Sequence, residues 1–200
     1  MKKIFYWSPH TSKVATVKNV INSAFSLKKF YKEKIDVSIL DVIGEWSSHK
    51  DEFESKKINY LKISGFEISN FLPVSGYLIS RIIYFIVFVT KIFKLKKLID
   101  KEKPNYLIIH LITVVPLLLL YLYYFDTKFI LRISGLPKLT FFRTFFWKKI
   151  SNKIYMVTCP SEQTKKDLIK FNIFPEEKLK IVLDPILDIK EIHKKLNLKI

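Results

Sequence analysis

Short apolar runs alternate along this chain with longer stretches in which apolar residues return every third or fourth position. Residues 4–7, Ile-Phe-Tyr-Trp, form one such run, and Ser8-Pro9 ends it as a central parallel strand ends on entering a loop. Thr11 and Ser12 stand where a helix is capped. Val14, Val17, Val20, Ile21, Ala24, Phe25 and Leu27 then step by threes and fours, which predicts a helix over residues 13–31 with one core face. Strands are expected at 36–42 and 58–63, with a polar loop or short helix at 44–57 between them. A break at Pro73 and Gly76 precedes a long segment, 77–103, that ends at Lys103-Pro104-Asn105. Further strands are predicted at 106–110, 128–133, 154–158 and 180–183, separated by helices at 113–125, 138–152 and 161–171. Pro116 falls near the first turn of its helix, where its missing N–H has no partner to lose. Strand and helix alternate throughout, so the expected fold is α/β, a Rossmann-like doubly wound parallel sheet with helices on both faces. Two hundred residues suits one such domain, placed at residues 1–185.

Two apolar segments admit other readings. Residues 106–125 run for twenty positions without a formal charge, which is long enough to cross a membrane, with 82–93 as a partner span. Pro104, His110 and Pro116 favour instead a strand, a turn and a helix, each too short to span. Residues 80–97 set Ile82, Phe85, Phe88, Val89, Ile92 and Phe93 beside Arg81, Lys91, Lys94, Lys96 and Lys97. That mixture suits an interfacial helix on an anionic leaflet, and equally a core helix with a solvated basic end.

Charge narrows the partners. The formal net charge is +17, from 35 basic and 18 acidic residues, which implies an anionic surface or ligand. The lysines are spread along the chain, with no compact basic block and no recognised nucleic-acid module, so nucleic acid ranks behind anionic lipid and phosphorylated substrates. Cys159 is the only cysteine, which excludes an intrachain disulfide and a cysteine-rich metal site and makes a reducing, cytosolic setting the default. The apolar run after Met1-Lys2-Lys3 is too short for a secretory signal.

Candidate chemistry gathers where predicted strands end. The loop Ser8-Pro9-His10-Thr11-Ser12 leads into a helix start, with Ala15 and Thr16 close behind, and its free N–H groups could hold a phosphate or hydroxyl. No Gly-rich phosphate loop occurs, which argues against a nicotinamide dehydrogenase or a P-loop NTPase. His110 ends one strand. Arg132-Ile133-Ser134-Gly135 ends the next, where a buried charge needs a partner and Gly135 leaves room for a ligand, with Lys138 and Arg143 just beyond. Cys159 is expected to be a buried structural thiol. Protease, serine-hydrolase and zinc signatures are absent, and no catalytic residue is assigned.

Four stretches taken together carry a resemblance: Pro104-Asn105-Tyr106-Leu107-Ile108-Ile109-His110, Arg132-Ile133-Ser134-Gly135-Leu136-Pro137, Thr158-Cys159-Pro160-Ser161-Glu162 and Lys180-Ile181-Val182-Leu183-Asp184-Pro185. This set resembles the N-terminal, acceptor-side half of a retaining family-four glycosyltransferase of the GT-B type. The resemblance implies transfer of a sugar from a nucleotide-sugar donor to a polysaccharide or lipid-linked glycan, with the enzyme cytoplasmic and peripheral on the inner face of the membrane. It places Ser12, Ala15, Thr16, His110, Arg132, Ser134 and Gly135 on the acceptor side of the cleft. It implies no cofactor or metal beyond the nucleotide sugar as co-substrate, held mainly by a second domain. Residues 186–200 are then expected to be a linker and the start of that domain, supplied by a longer chain or by a partner chain, so that this chain alone would be inactive. Two departures stand out: the first loop lacks the paired glycines of many members, and Ser134 or a neighbour stands where many carry a histidine. The alternative is a non-catalytic, membrane-associated binding domain with a basic surface.

Overall fold

The computed structural model of the protein describes residues 1–10, 15–63 and 77–185. Among the described residues seven strands form one sheet: β1 (Lys2–Trp7), β2 (Ile35–Asp41), β3 (Asn59–Lys62), β4 (Tyr106–Ile109), β5 (Lys128–Arg132), β6 (Met156–Cys159) and β7 (Leu179–Ile181). Their order is β3-β2-β1-β4-β5-β6-β7, and every pairing is parallel. The described helices are α1 (Ala15–Tyr31), α2 (Lys50–Ser55), α3 (Tyr77–Glu102), α4 (Val114–Leu122), α5 (Phe141–Ile150) and α6 (Glu162–Lys170).

Alternation along the strands sorts the core into two layers. Ile4 and Tyr6 of β1, with Val37 and Ile39 of β2, pack against Val17, Val20, Ile21 and Ala24 of α1 and Phe53 of α2. Phe5 and Trp7 point the other way and join Leu107, Ile109, Phe129 and Leu131 beneath α3, α4, α5 and α6. Each large side chain buried in this way is worth roughly 1.5–3 kcal/mol, so both faces hold the sheet. The expected doubly wound fold is therefore the observed one.

Local chemistry sets the helix ends, and several differ from the periodicity. The helix expected over 138–152 begins only at Phe141, because Thr140 is extended and its hydroxyl accepts from the N–H of Arg143 at 3.3 Å. At its other end Lys178 Nζ donates to the carbonyls of Ser151, Asn152 and Ile154, taking up acceptors that the helix terminus leaves open. Ser161 caps α6 through the N–H of Thr164.

Residues 106–125 resolve into β4, a turn through His110–Thr113 and the nine-residue α4, which stops where Tyr123 turns extended. The span reading therefore fails: no helix among the described residues is long and apolar enough to cross a membrane. The basic set assigned to 80–97 also changes. Lys91 is 1% exposed, packed inside the fold, and Lys96 pairs with Asp100 at 2.6 Å, while Lys94 and Lys97 are exposed. The side chains of Arg81, Ile82 and Phe88 lie outside the described residues. Cys159 is fully buried and its thiol pKa is pushed up by that burial.

Candidate functional site

The strand order reverses between β1 and β4, and in such sheets ligands bind outside the carboxyl ends of the strands beside that reversal. Here β4 delivers His110, whose N–H donates to the carbonyl of Trp7 at 2.9 Å, and β5 delivers Arg132 followed by Ser134 and Gly135. The parallel register that pairs Ile109 with Leu131 brings these two ends side by side. His110 Nε2 is hydrogen-bonded to the Ser134 hydroxyl, and Nδ1 is buried with no partner among the described residues. The ring is 5% exposed. Burial first, and the neighbouring Arg132 charge second, push its pKa down from 6.5 to about 4, against a smaller upward pull from Asp184. The imidazole is neutral at pH 7.

Arg132 lies on the opposite side of β5 from Leu131. Its guanidinium donates to Asp184 Oδ1 at 2.6 Å and reaches Ser23 Oγ at 3.5 Å, and that hydroxyl is itself 2.8 Å from the Tyr6 phenol. Nε is left without a partner among the described residues. The buried charge therefore has the partner that its position demands, a carboxylate brought back from beyond β7. Asn22 Nδ2 donates to the Pro185 carbonyl at 2.8 Å, which ties the same returning segment to α1.

A cleft of about 720 Å³ opens beside the His110–Ser134 pair, between the starts of α4 and α5 and the end of β5. That size is ample for a sugar or for part of a larger amphiphile. One wall is Ile112, Val114 and Ile133, the other Phe142, Phe145, Phe146 and Trp147, and polar groups come from Thr113, Thr140, Arg143 and the His110–Ser134 pair. Gly135 lines the mouth, and a Cβ there would meet no atom within 4 Å. Ile112 holds φ 46°, a left-handed conformation that β-branched residues rarely adopt, and the Trp7 indole N–H donates to its carbonyl at 3.1 Å. Strain of this kind persists only where neighbours enforce it, and here it shapes the cleft rim.

The cleft thus gathers His110, Arg132, Ser134 and Gly135 from the expected site. Thr16 is half-buried in the first turn of α1 and does not line it, and Ala15 opens that helix. Ser12 lies outside the described residues. Asp184 as the partner of Arg132 was not expected from the sequence, and neither was the aromatic wall, although Phe141-Phe142-Arg143-Thr144-Phe145-Phe146-Trp147 was an open signal of it. A buried acidic pair at the end of β2 was equally unforeseen. Glu45 accepts from the N–H groups of Val42 and Ile43 at 3.0 and 2.7 Å, while Asp41 accepts from that of Gly44 at 2.8 Å. Burial, and then Asp41 beside it, hold the Glu45 carboxyl well above the usual range. Among the described residues no group of three His, Cys, Asp or Glu side chains could hold a metal ion.

No family model matches this chain, and no curated protein matches it in sequence. Its fold is similar to solved structures. A glycosyltransferase from Rickettsia africae aligns with 99% of this chain and 49% of its own at 14% identity and a TM-score of 0.63. The UDP-GlcNAc 2-epimerase of Neisseria meningitidis, bound to UDP-GlcNAc, aligns with 100% and 53% at 13% identity and 0.60. Anabaena Alr3699/HepE, in complex with UDP and glucose, aligns with 99% and 51% at 10% identity and 0.59. The chain spans about half the length of each. These likenesses give the fold, a Rossmann-like domain as found in GT-B glycosyltransferases and UDP-GlcNAc 2-epimerases, and they do not extend to the family-four assignment.

Proposed function

We propose that this chain is the acceptor-binding domain of a family-four-like glycosyltransferase that moves a sugar from a nucleotide donor to a polysaccharide or lipid-linked glycan. The observation that carries the reading is the neutral His110–Ser134 pair beside a cleft walled by apolar side chains. Such a floor offers an acceptor hydroxyl the Ser134 hydroxyl, held in place by the buried imidazole, and the aromatic wall offers a flat face to a sugar ring or an apolar chain. A pKa near 4 makes His110 a weak proton acceptor at neutral pH, so its role is to hold Ser134, whose hydroxyl orients the attacking hydroxyl, and not to take the proton outright. The acceptor oxygen then bonds to the anomeric carbon as the bond from that carbon to the nucleoside diphosphate breaks, and the hydroxyl proton passes to the departing diphosphate oxygen.

Two of the similar structures hold UDP or a UDP-sugar, which favours a uridine nucleotide sugar as donor. The donor is held mainly by a second domain, in a longer chain or a partner chain, and no resident cofactor is required. The domain works as a peripheral protein on the inner face of the membrane. The reading is tested by NMR titration of the full chain with short glycans and with UDP-sugars. Glycan is expected to shift the His110 ring and Gly135 N–H resonances, and Ser134→Ala to weaken that binding about tenfold. Titrations in which no glycan and no UDP-sugar moves either resonance would sink the proposal. The exposed phenylalanines of α5 favour, as a second reading, a non-catalytic binding domain on a membrane. Glycan binding at His110 separates the two.

A further inference from the structure

We propose that the first turn of α5 and the outer stripe of α3 form one docking surface for an anionic lipid bilayer, with the cleft opening along its edge. Its link to the cleft rests on the acceptor reading above, but the surface stands on its own observations. Phe141 is 78% exposed, Phe142 82% and Phe145 55%. The Phe141 ring packs on Phe142 and Phe145, at centroid distances of 5.8 and 6.4 Å, so the three make a small apolar island outside the core. On α3, Phe85, Val89 and Phe93 repeat every fourth residue and are 67%, 52% and 68% exposed. That spacing sets them in one stripe. α3 packs on α4 and α4 on α5, and the Tyr121 ring of α4 lies 6.2 Å from Phe146, so the two apolar patches belong to one layer of the molecule. An exposed apolar surface of this breadth marks a contact site.

Charge selects the occupant. From residue 138 to residue 153 the chain carries Lys138, Arg143, Lys148, Lys149 and Lys153 and no acidic residue. On α3, Lys94 and Lys97 are exposed beside the stripe. Bulky aromatics among basic groups, with no carboxylate on α5 and with Asp100 at the end of the α3 stripe paired to Lys96, match the boundary between headgroups and acyl chains of an anionic leaflet. A second copy of this chain would bring the same positive charge against it, within a net +17 per molecule. Duplex nucleic acid would use the lysines and leave the phenylalanine island in water. Phe142, Phe145 and Arg143 belong both to the surface and to the cleft lining, so an amphiphile could pass from the leaflet into the cleft without crossing water.

The test is vesicle flotation of the full chain with phosphatidylcholine alone and with phosphatidylcholine plus phosphatidylglycerol. The double variant Phe93→Ser/Phe141→Ser changes two exposed residues outside the cleft lining, and Lys148→Glu/Lys149→Glu tests the charge. Wild type is expected to float with anionic vesicles and not with neutral ones, and each double variant to lose about tenfold or more in vesicle affinity with an unchanged circular dichroism melt. If a double variant fails to fold, Phe141→Ser alone and a salt titration of wild type carry the same test, with weaker binding expected in both. Three results would overturn the surface: anionic binding unaffected by the phenylalanine changes, self-association lost in the phenylalanine variant without any vesicle binding, or duplex DNA bound as tightly as vesicles. Each leaves the glycan titration at His110 and Gly135 untouched, so failure here is distinguishable from failure of the acceptor reading.

Discussion

Replacing His110 with glutamine should remove a pH dependence that burial builds into the stability of this fold. The ring is 5% exposed and sits beside Arg132, and its pKa falls from 6.5 to about 4. In the unfolded chain both influences vanish and the ordinary value returns. Between those two values the unfolded chain holds a proton that the folded chain does not. Stability is therefore full above the unfolded pKa and falls as pH drops through the window, levelling off below the folded pKa. A gap of about 2.5 at roughly 1.4 kcal/mol per pH unit gives an upper figure of about 3 kcal/mol. Other acids titrate nearby: Lys3 holds the Glu102 carboxyl below its usual range, and burial holds that of Glu45 above it. Both are common to wild type and His110→Gln, so the difference between the two proteins isolates the histidine. Urea unfolding from about pH 7.5 down to about pH 4.5 should show the wild-type curve falling faster by about 2–3 kcal/mol over that range. Parallel curves, or a His110 ring that titrates near 6.5 by NMR, would refute the reasoning.

Asp184→Ala should cost about 3 kcal/mol in urea unfolding, because it strands the buried Arg132 guanidinium. Pairing it with Arg132→Met should recover most of that loss, and a double variant no more stable than Asp184→Ala would mean the pair is not the cause. Glu45→Gln should keep stability within about 1 kcal/mol of wild type, since burial and the neighbouring Asp41 already disfavour the charged carboxylate and the amide oxygen can still accept from the Val42 and Ile43 N–H groups. Glu45→Ala should lose about 2–3 kcal/mol as the Val42 and Ile43 N–H groups lose their acceptor. Thermal melts of the two variants decide it, and equal losses would mean that an acceptor at position 45 is not what the Val42 and Ile43 N–H groups depend on.

The strands were legible because a parallel strand covered on both faces reads as an unbroken apolar run, and Phe5, Trp7, Leu107 and Leu131 are all buried as that reading requires. The helix boundaries were less so. Nothing in 113–125 marks the stop at Leu122, which comes from Tyr123 turning extended to return the chain toward β5. Lys91 could not be told from Lys94 by spacing. It is buried in a helix whose neighbours Asp41 and Glu45 come from the end of β2, about a quarter of the domain away in sequence. The candidate site divides in the same way. His110, Arg132, Ser134 and Gly135 were found because strand ends of a doubly wound sheet are where ligands bind, while Asp184 and the face that Arg132 turns toward were not.

The sequence by itself determined the alternation of strands and helices, the single buried cysteine, the excess of positive charge and the two strand ends that carry polar chemistry, because each is a matter of local pattern or composition. Only the tertiary structure decided which of those charges meet. The chain that leaves β7 comes back to place Asp184 on Arg132 and Pro185 on Asn22, contacts spanning 52 and 163 residues. A buried charge dictates that it will have a partner, but it is the packing of distant segments over one sheet that selects the partner. The same packing made His110 neutral and left Phe141, Phe142 and Phe145 of α5 facing water.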